Sequence, residues 1–292
     1  MIELALITRL VPQPVNLVVT LPGVSSREKP YSDAIEKAYR ERLIRGLWGI
    51  GHELDNAGVG FLELVAAADL IACSSIQEGF GLLYIDTLQW GHPLLARKID
   101  VLEGISDVLD RPQVHLYESV PVPLDDSTKT RLRNGYNEQI HRIAGHLSKK
   151  TIESLEAEIE TMLDSQTIDF SYLDIDGQLD LLRSVATDVN AASRIRALNK
   201  RIVDAVPGLA ERDPEPVEPD SRFTRRGFAD TTRRIIETFD RTADDASESA
   251  SLHQGRSPDR ASHDDVSVQS KLLQLFASKE FIRLLYSAGS ET

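Results

Sequence analysis

The sequence predicts an α/β chain: an incomplete parallel sheet over residues 1–118, followed by an α-helical extension over 119–209. Three observations carry this reading. Short apolar runs alternate with longer helical patterns through the first third, as βαβ units do. Beyond residue 118 apolar positions recur at three- and four-residue spacing, the period of a helix face. The chain of 292 residues is 41% hydrophobic, enough to bury a sizeable core.

Residues 16–20 (NLVVT) form a β-rich run closed by Leu21-Pro22-Gly23, which reads as a buried strand entering a loop. Residues 31–54 place Ile35, Ala38, Tyr39, Leu43, Leu47 and Ile50 at helical spacing behind Ser32 and Asp33 as capping residues. That predicts one helix packed on a sheet face. A short helix at 61–68, a strand at 69–74, a helix at 81–90, a strand at 93–96, a helix at 102–109 and a strand at 114–117 complete the set.

From 127 to 162 the pattern is helical, carried by Leu132, Tyr136, Ile140, Ile143 and Leu147, then Ile152, Leu155 and Ile159. Two more helices are expected at 175–185 and 191–206. Residues 210–220 read as an extended linker, because DPEPVEPD at 213–220 is too rich in proline and acid for a core element. Residues 221–292 predict C-terminal helices at 221–242 and 268–287 around a disordered stretch at 243–265, which is rich in Ser, Asp and Glu.

The net charge of −13 argues against a nucleic-acid or anionic-membrane partner, which would need clustered Lys and Arg. Any anionic ligand must be held locally, by backbone amides or a few placed cations. The single cysteine, Cys73, cannot form an internal disulfide and reads as a buried structural thiol. The apolar run at 61–73 is interrupted by Glu63 and Asp69 and falls short of the roughly 20 residues of a membrane span. With no signal-peptide pattern at the start, a cytoplasmic protein is expected.

The informative segment is 74–96, SSIQEGFGLLYIDTLQWGHPLLA. A strand ends at Ser74-Ser75, the turn Glu78-Gly79-Phe80-Gly81 follows, and a helix begins directly after it. Two glycines let the backbone approach a ligand, and the first free amides of the helix offer an anion site for phosphates. Glu78 and Asp86 flank this amide nest. Carboxylates suit sugar and ribose hydroxyls, since each oxygen accepts strong charge-assisted hydrogen bonds. Gly91-x-Pro93 then ends the helix and resets the chain for the next strand. On the two glycines alone, the turn reads equally well as a tight strand-to-helix connection with Asp86 solvated.

This segment resembles the motif of retaining GT-B glycosyltransferases of the sucrose-synthase and glycogen-synthase-like group. There Glu-Gly-Phe-Gly, a hydrophobic stretch, a second acid and Gly-x-Pro follow in the same register. The lead-in at 61–70 (FLELVAAADL) is similar as well, and a weaker extension covers 16–104. The resemblance implies a Rossmann-like C-terminal donor-binding domain and retaining hexosyl transfer from a nucleotide sugar, with no metal and no cofactor. It places Glu78 at the donor sugar as the catalytic acid residue, Gly79, Phe80, Gly81 and Leu82 around the sugar and diphosphate, and Asp86 on the ribose hydroxyls. The second acid is usually Glu in that group, so Asp86 shortens the reach by one methylene.

The group also carries an Arg and Lys pair that neutralises the diphosphate, and an acceptor domain ahead of it. Met1-Ile2-Glu3-Leu4-Ala5-Leu6 matches the helix just after that pair, so the sequence reads as truncated and neither cation stands in register. A separately encoded acceptor domain is the partner this implies. The rival reading is a non-catalytic remnant or interaction module; a third is a helical scaffold with no nucleotide affinity. Arg27, Lys29, Arg97 and Lys98 follow strand ends and are placed to approach a phosphate, but solvated surface positions are expected for all four. His92 is expected to be structural or exposed, and His115, His141 and His146 lack metal-ligand spacing. Trp48 and Trp90 are expected on helices, as core or interface residues.

Overall fold

The structure, a computed structural model, describes residues 1–218 except 24, 27 and 78–81. The elements expected at 221–242, 243–265 and 268–287 lie outside the described residues, as do Glu78, Gly79, Phe80, Gly81 and Arg27. The chain is mixed α/β, and its parallel strands fall into two ladders.

Helix α1 (Ile2–Leu10) is apolar on almost every face, as a helix enclosed by the core must be. Burying each of Ile2, Leu6 and Leu10 contributes on the order of 2 kcal/mol. The helix stops at Val11, which is extended because Pro12 follows it. Strand β1 (Leu17–Val19) then leads through a loop to α2 (Lys29–Arg40), whose Ser32, Ile35 and Ala38 face inward.

The single helix expected over 31–54 is not formed. Helix α2 ends where Arg42 adopts φ 57°, with the Arg42 and Leu43 amides donating back to the Tyr39 and Ala38 carbonyls. A second strand, β2 (Gly46–Trp48), follows and pairs parallel with β1, so Trp48 lies on a strand and not a helix. Glycine is required at 46: its φ is 128°, and a Cβ there would sit 2.0 Å from the Leu17 carbonyl oxygen. The apolar residues at 43–50 mimicked a helix period, while Gly46 and Gly49 were the punctuation that overruled it.

Two short helices follow, α3 (Gly51–Asn56) and α4 (Phe61–Ala66), the latter started by Glu63, whose carboxylate accepts from the Gly60 amide at 2.7 Å. Then come β3 (Ile71–Cys73), α5 (Leu82–Gln89) and β4 (Leu94–Arg97), a 3-10 turn at Asp100–Ile105 with α6 (Ser106–Leu109), and β5 (Val114–Tyr117). The order is β3-β4-β5, all parallel, with β4 in the middle and buried along its whole length.

An antiparallel pair that the sequence reading lacked comes next: β6 (Pro121–Pro123) pairs with β7 (Thr167–Asp169). Two prolines in three residues argue against a strand, but a two-stranded ribbon needs few amides, and Val122 supplies the buried side chain. Between these strands lie α7 (Asp126–Ile143) and α8 (Lys149–Leu163), each started by a side chain that accepts an orphan amide: Asp125 from Thr128 and Ser148 from Thr151. Helices α9 (Ile175–Thr187), α10 (Val189–Leu198) and α11 (Lys200–Ala210) follow, and all three pack against α1.

One apolar core runs from Ile2 and Leu10 through Leu95 and Tyr117 to Leu132, Leu182 and Val206. The described residues up to Pro216 belong to one compact unit, and Val217 and Glu218 to another. The proline-acid stretch is extended, yet it is pinned: the Glu215 amide donates to the Gly91 carbonyl at 2.8 Å, and Pro216 packs on the space above Gly91. Among the described residues no helix is long and apolar enough to cross a membrane.

Candidate functional site

In parallel α/β sheets, ligands bind beyond the carboxyl ends of the strands. Here that edge is formed by Cys73 and Ser74 after β3, Arg97 and Lys98 at the end of β4, and Tyr117 and Glu118 at the end of β5. Cys73 is buried, its thiol 3.4 Å from the Ser75 hydroxyl.

Helix α5 begins at Leu82, close after β3. Tyr84 and Ile85 turn inward, and the Tyr84 hydroxyl donates to the Arg97 carbonyl at 3.0 Å, which fixes the helix against the end of β4. Leu82 and Leu83 face outward, Leu82 being 58% exposed. Asp86, one turn further on, is half-buried, and its carboxylate accepts no hydrogen bond from any described residue. Gly91, at φ 81°, ends this helical segment and delivers Pro93 to the start of β4. Of the six site residues expected from the sequence, Leu82 and Asp86 are thus located on the helix that leaves β3. Glu78, Gly79, Phe80 and Gly81 fall in the connection outside the described residues.

The expected surface cations divide. Lys29 and Lys98 are exposed and paired with Asp33 and Glu118. Arg97 overturns the expectation, because it is wholly buried. Its guanidinium donates from Nε to Glu3 at 3.3 Å and from Nη2 to the same carboxylate. It also donates to both oxygens of Asp169 at 2.8 and 3.0 Å, and to the Glu118 carbonyl at 2.8 Å. Burial disfavours the charged guanidinium, but its hydrogen bonds to Asp169 and the charges of Glu3 and Asp169 more than offset this and hold its pKa above the ordinary value. The Tyr117 hydroxyl donates to Glu3 at 2.7 Å, and its ring lies 5.6 Å below the guanidinium. Asp169 also accepts from the Val120 amide and from Ser171.

This cluster joins α1, β4, β5 and β7 at the strand ends and sets the frame on which α5 sits. Sequence reasoning missed it because Glu3 lies 94 residues from Arg97 and Asp169 lies 72. The usable signal was local: an arginine closing an otherwise apolar strand that is covered on both sides.

His92 is buried with its Nδ1 unpartnered, and His115 on β5 has its pKa lowered by burial and by the charge of Arg201. Trp90 packs edge-to-face on Phe61, with ring centroids 5.6 Å apart. Among the described residues no group of His, Cys, Asp and Glu is arranged to hold a metal ion.

No protein-family model matches the chain, and no solved structure matches it. It is similar to Mannosylglucosyl-3-phosphoglycerate synthase of Petrotoga mobilis (strain DSM 10674 / SJ95), with 27% identity over 205 residues. The alignment takes in 70% of this chain and 38% of that protein, so the chain spans well under half the length of its relative.

Proposed function

We propose that this chain is the donor-binding part of a glycosyltransferase, catalysing retaining hexosyl transfer from a nucleotide sugar without a metal or cofactor. In this reading residues 1–118 form a Rossmann-like domain of GT-B type, with 119–209 as its helical buttress, and the acceptor is presented by a further domain. Glu78 acts at the donor sugar. The amides of Gly79, Phe80, Gly81 and Leu82 line the sugar and diphosphate, and Asp86 receives the ribose hydroxyls.

The observation that carries this is Asp86. It lies on α5, the helix that leaves the carboxyl end of a parallel strand, half-buried and accepting no hydrogen bond from the described residues. A carboxylate without a donor among the described residues, on the helix that leaves such an edge, suits a polyol, whose hydroxyls supply donors. The similarity to a synthase of mannosylglucosyl-3-phosphoglycerate supports glycosyl transfer in general and brings mannosyl donors and phosphoglycerate-bearing acceptors into the assay.

The test is calorimetric titration of the chain with UDP, GDP and ADP, repeated with Asp86→Ala. One nucleotide is expected to bind, with affinity reduced roughly tenfold in the variant, about what one charge-assisted hydrogen bond supplies. No affinity for any of the three would instead put a non-catalytic interaction module in front.

A further inference from the structure

At the far end of α1 from Glu3 there is an open cleft of about 570 Å³, bordered by the ends of α1 and α2 and the start of β2. Four arginines, Arg9, Arg40, Arg42 and Arg45, line it with Tyr39 and Ile44. We propose that this cleft is a binding site for the phosphate group of a small molecule, separate from the sheet edge that holds Asp86.

The charge is the first reason. In a protein of net charge −13, four arginines line one opening. Among the described residues Arg9, Arg42 and Arg45 have no carboxylate partner, and Arg40 reaches Glu36 only at 3.7 Å. Cations left without counter-charges in a concave site attract an anion, and the planar guanidinium fork matches phosphate oxygens two at a time.

The second reason is pre-organisation. Arg9 donates from Nε and Nη2 to the Leu43 carbonyl at 3.0 and 2.7 Å and from Nη2 to the Arg42 carbonyl at 2.5 Å, so its guanidinium is clamped in place. Burial and the charge of Arg45 both lower its pKa, a repulsion that a bound anion would relieve.

The third reason is Arg42. It occupies the left-handed position after α2, at φ 57°, where glycine closes a helix at less cost. A long cation at a position that favours glycine points to a use for the side chain. Compensation of helix dipoles accounts for Arg9 and Arg40, which lie in last turns, but not for Arg42 and Arg45, which lie beyond them. The volume falls in the range of small-molecule sites. Tyr39 gives its hydroxyl to the Leu17 carbonyl, so its ring serves as wall.

The whole chain is titrated with inorganic phosphate and with pyrophosphate, at ionic strength matched with chloride, beside the variants Arg42→Gly, Arg45→Gln and, outside the cleft, Arg183→Gln. Arg42→Gly keeps the helix end sound, since glycine prefers that backbone, and circular dichroism checks each fold. Binding to the parent is expected, weakened roughly tenfold by each variant in the cleft and unchanged by Arg183→Gln. No binding to the parent, or equal binding in both cleft variants, overturns the proposal. Weakening by Arg183→Gln, an exposed arginine on α9, overturns it too, since the ions would then be held by net charge and not by the cleft. Capture by phosphatidylserine vesicles without affinity for the free ions would make the cleft a membrane contact and likewise defeat it.

Discussion

Asp169 on β7 and Asp86 on α5 are two carboxylates that the fold treats in opposite ways. Asp169 is buried and fully engaged, accepting from Arg97, the Val120 amide and Ser171. Asp86 is half-buried and accepts from none of the described residues. A carboxylate enclosed by donors is committed to structure. One on a helix that accepts from no described residue is open to a ligand. The two can therefore be told apart by what each loses on substitution: stability in one case, affinity in the other.

The largest effect is expected at Arg97. Replacing it with methionine leaves Glu3 and Asp169 buried with no cation between them, which costs about 3–5 kcal/mol. Urea unfolding monitored by tryptophan fluorescence measures this. The triple variant Glu3→Gln, Arg97→Met, Asp169→Asn should regain part of the loss, because it removes the two buried charges that Arg97→Met alone leaves uncompensated. If Arg97→Met alone leaves the midpoint unmoved, the contrast with Asp86 collapses.

How much of this was legible in the sequence follows the same division. Strands β3, β4 and β5 and helix α5 could be read because period, glycine turn and Gly-x-Pro are local signals within one short segment. Asp86 came with them, since its place is fixed by register along one helix. The strands β2, β6 and β7 were not read: β2 is three residues long and hidden among apolar positions of helical spacing, and β6 is two-thirds proline. The Arg97 cluster was invisible for a different reason. Its partners come from the first turn of the chain and from a strand beyond two long helices, and nothing near Arg97 in sequence names them.

The engaged side of the comparison also has an alkaline signature. Burial raises the pKa of the Tyr117 hydroxyl well above its ordinary value, aided by the Glu3 carboxylate, and burial pushes Tyr31 up to about 12. Both tyrosines stay neutral when folded, while the unfolded chain ionises near pH 10. Their contribution is therefore complete below pH 10 and is lost as pH rises above it, at about 1.4 kcal/mol per pH unit for each. Urea midpoints between pH 9 and pH 12 should fall accordingly. In Tyr117→Phe the slope should be shallower, and an unchanged slope would mean that Tyr117 is not held neutral by its surroundings.

A third carboxylate, Asp125, calibrates the scale between the two. It is exposed, yet its pKa is lowered by the Thr128 amide and by Ser127, which it accepts from at the start of α7. Its contribution is present above the ordinary aspartate range and fades as pH falls through and below it. Asp125→Ala should lower stability at neutral pH by about 1 kcal/mol, the usual value of a helix cap. The difference from the parent should shrink toward pH 3, and a constant difference would assign the loss to packing instead.

Asp86→Ala should show the smallest effect on stability, within about 0.5 kcal/mol of the parent, as for a side chain whose removal breaks no bond to the described residues. A slight gain would fit equally well, since a half-buried carboxylate without donors is a cost that the folded state carries. The decisive comparison is of thermal midpoints with and without the nucleotide that binds the parent. Nucleotide at about ten times the parent's Kd should stabilise the parent by about 1.4 kcal/mol and a tenfold weaker variant by only about 0.4, because stabilisation by a ligand follows its affinity for the folded state alone. A variant that loses stability without ligand, yet gains as much from the nucleotide as the parent does, would place Asp86 with Asp169 among the structural carboxylates and leave the edge of β3 without an assigned ribose partner.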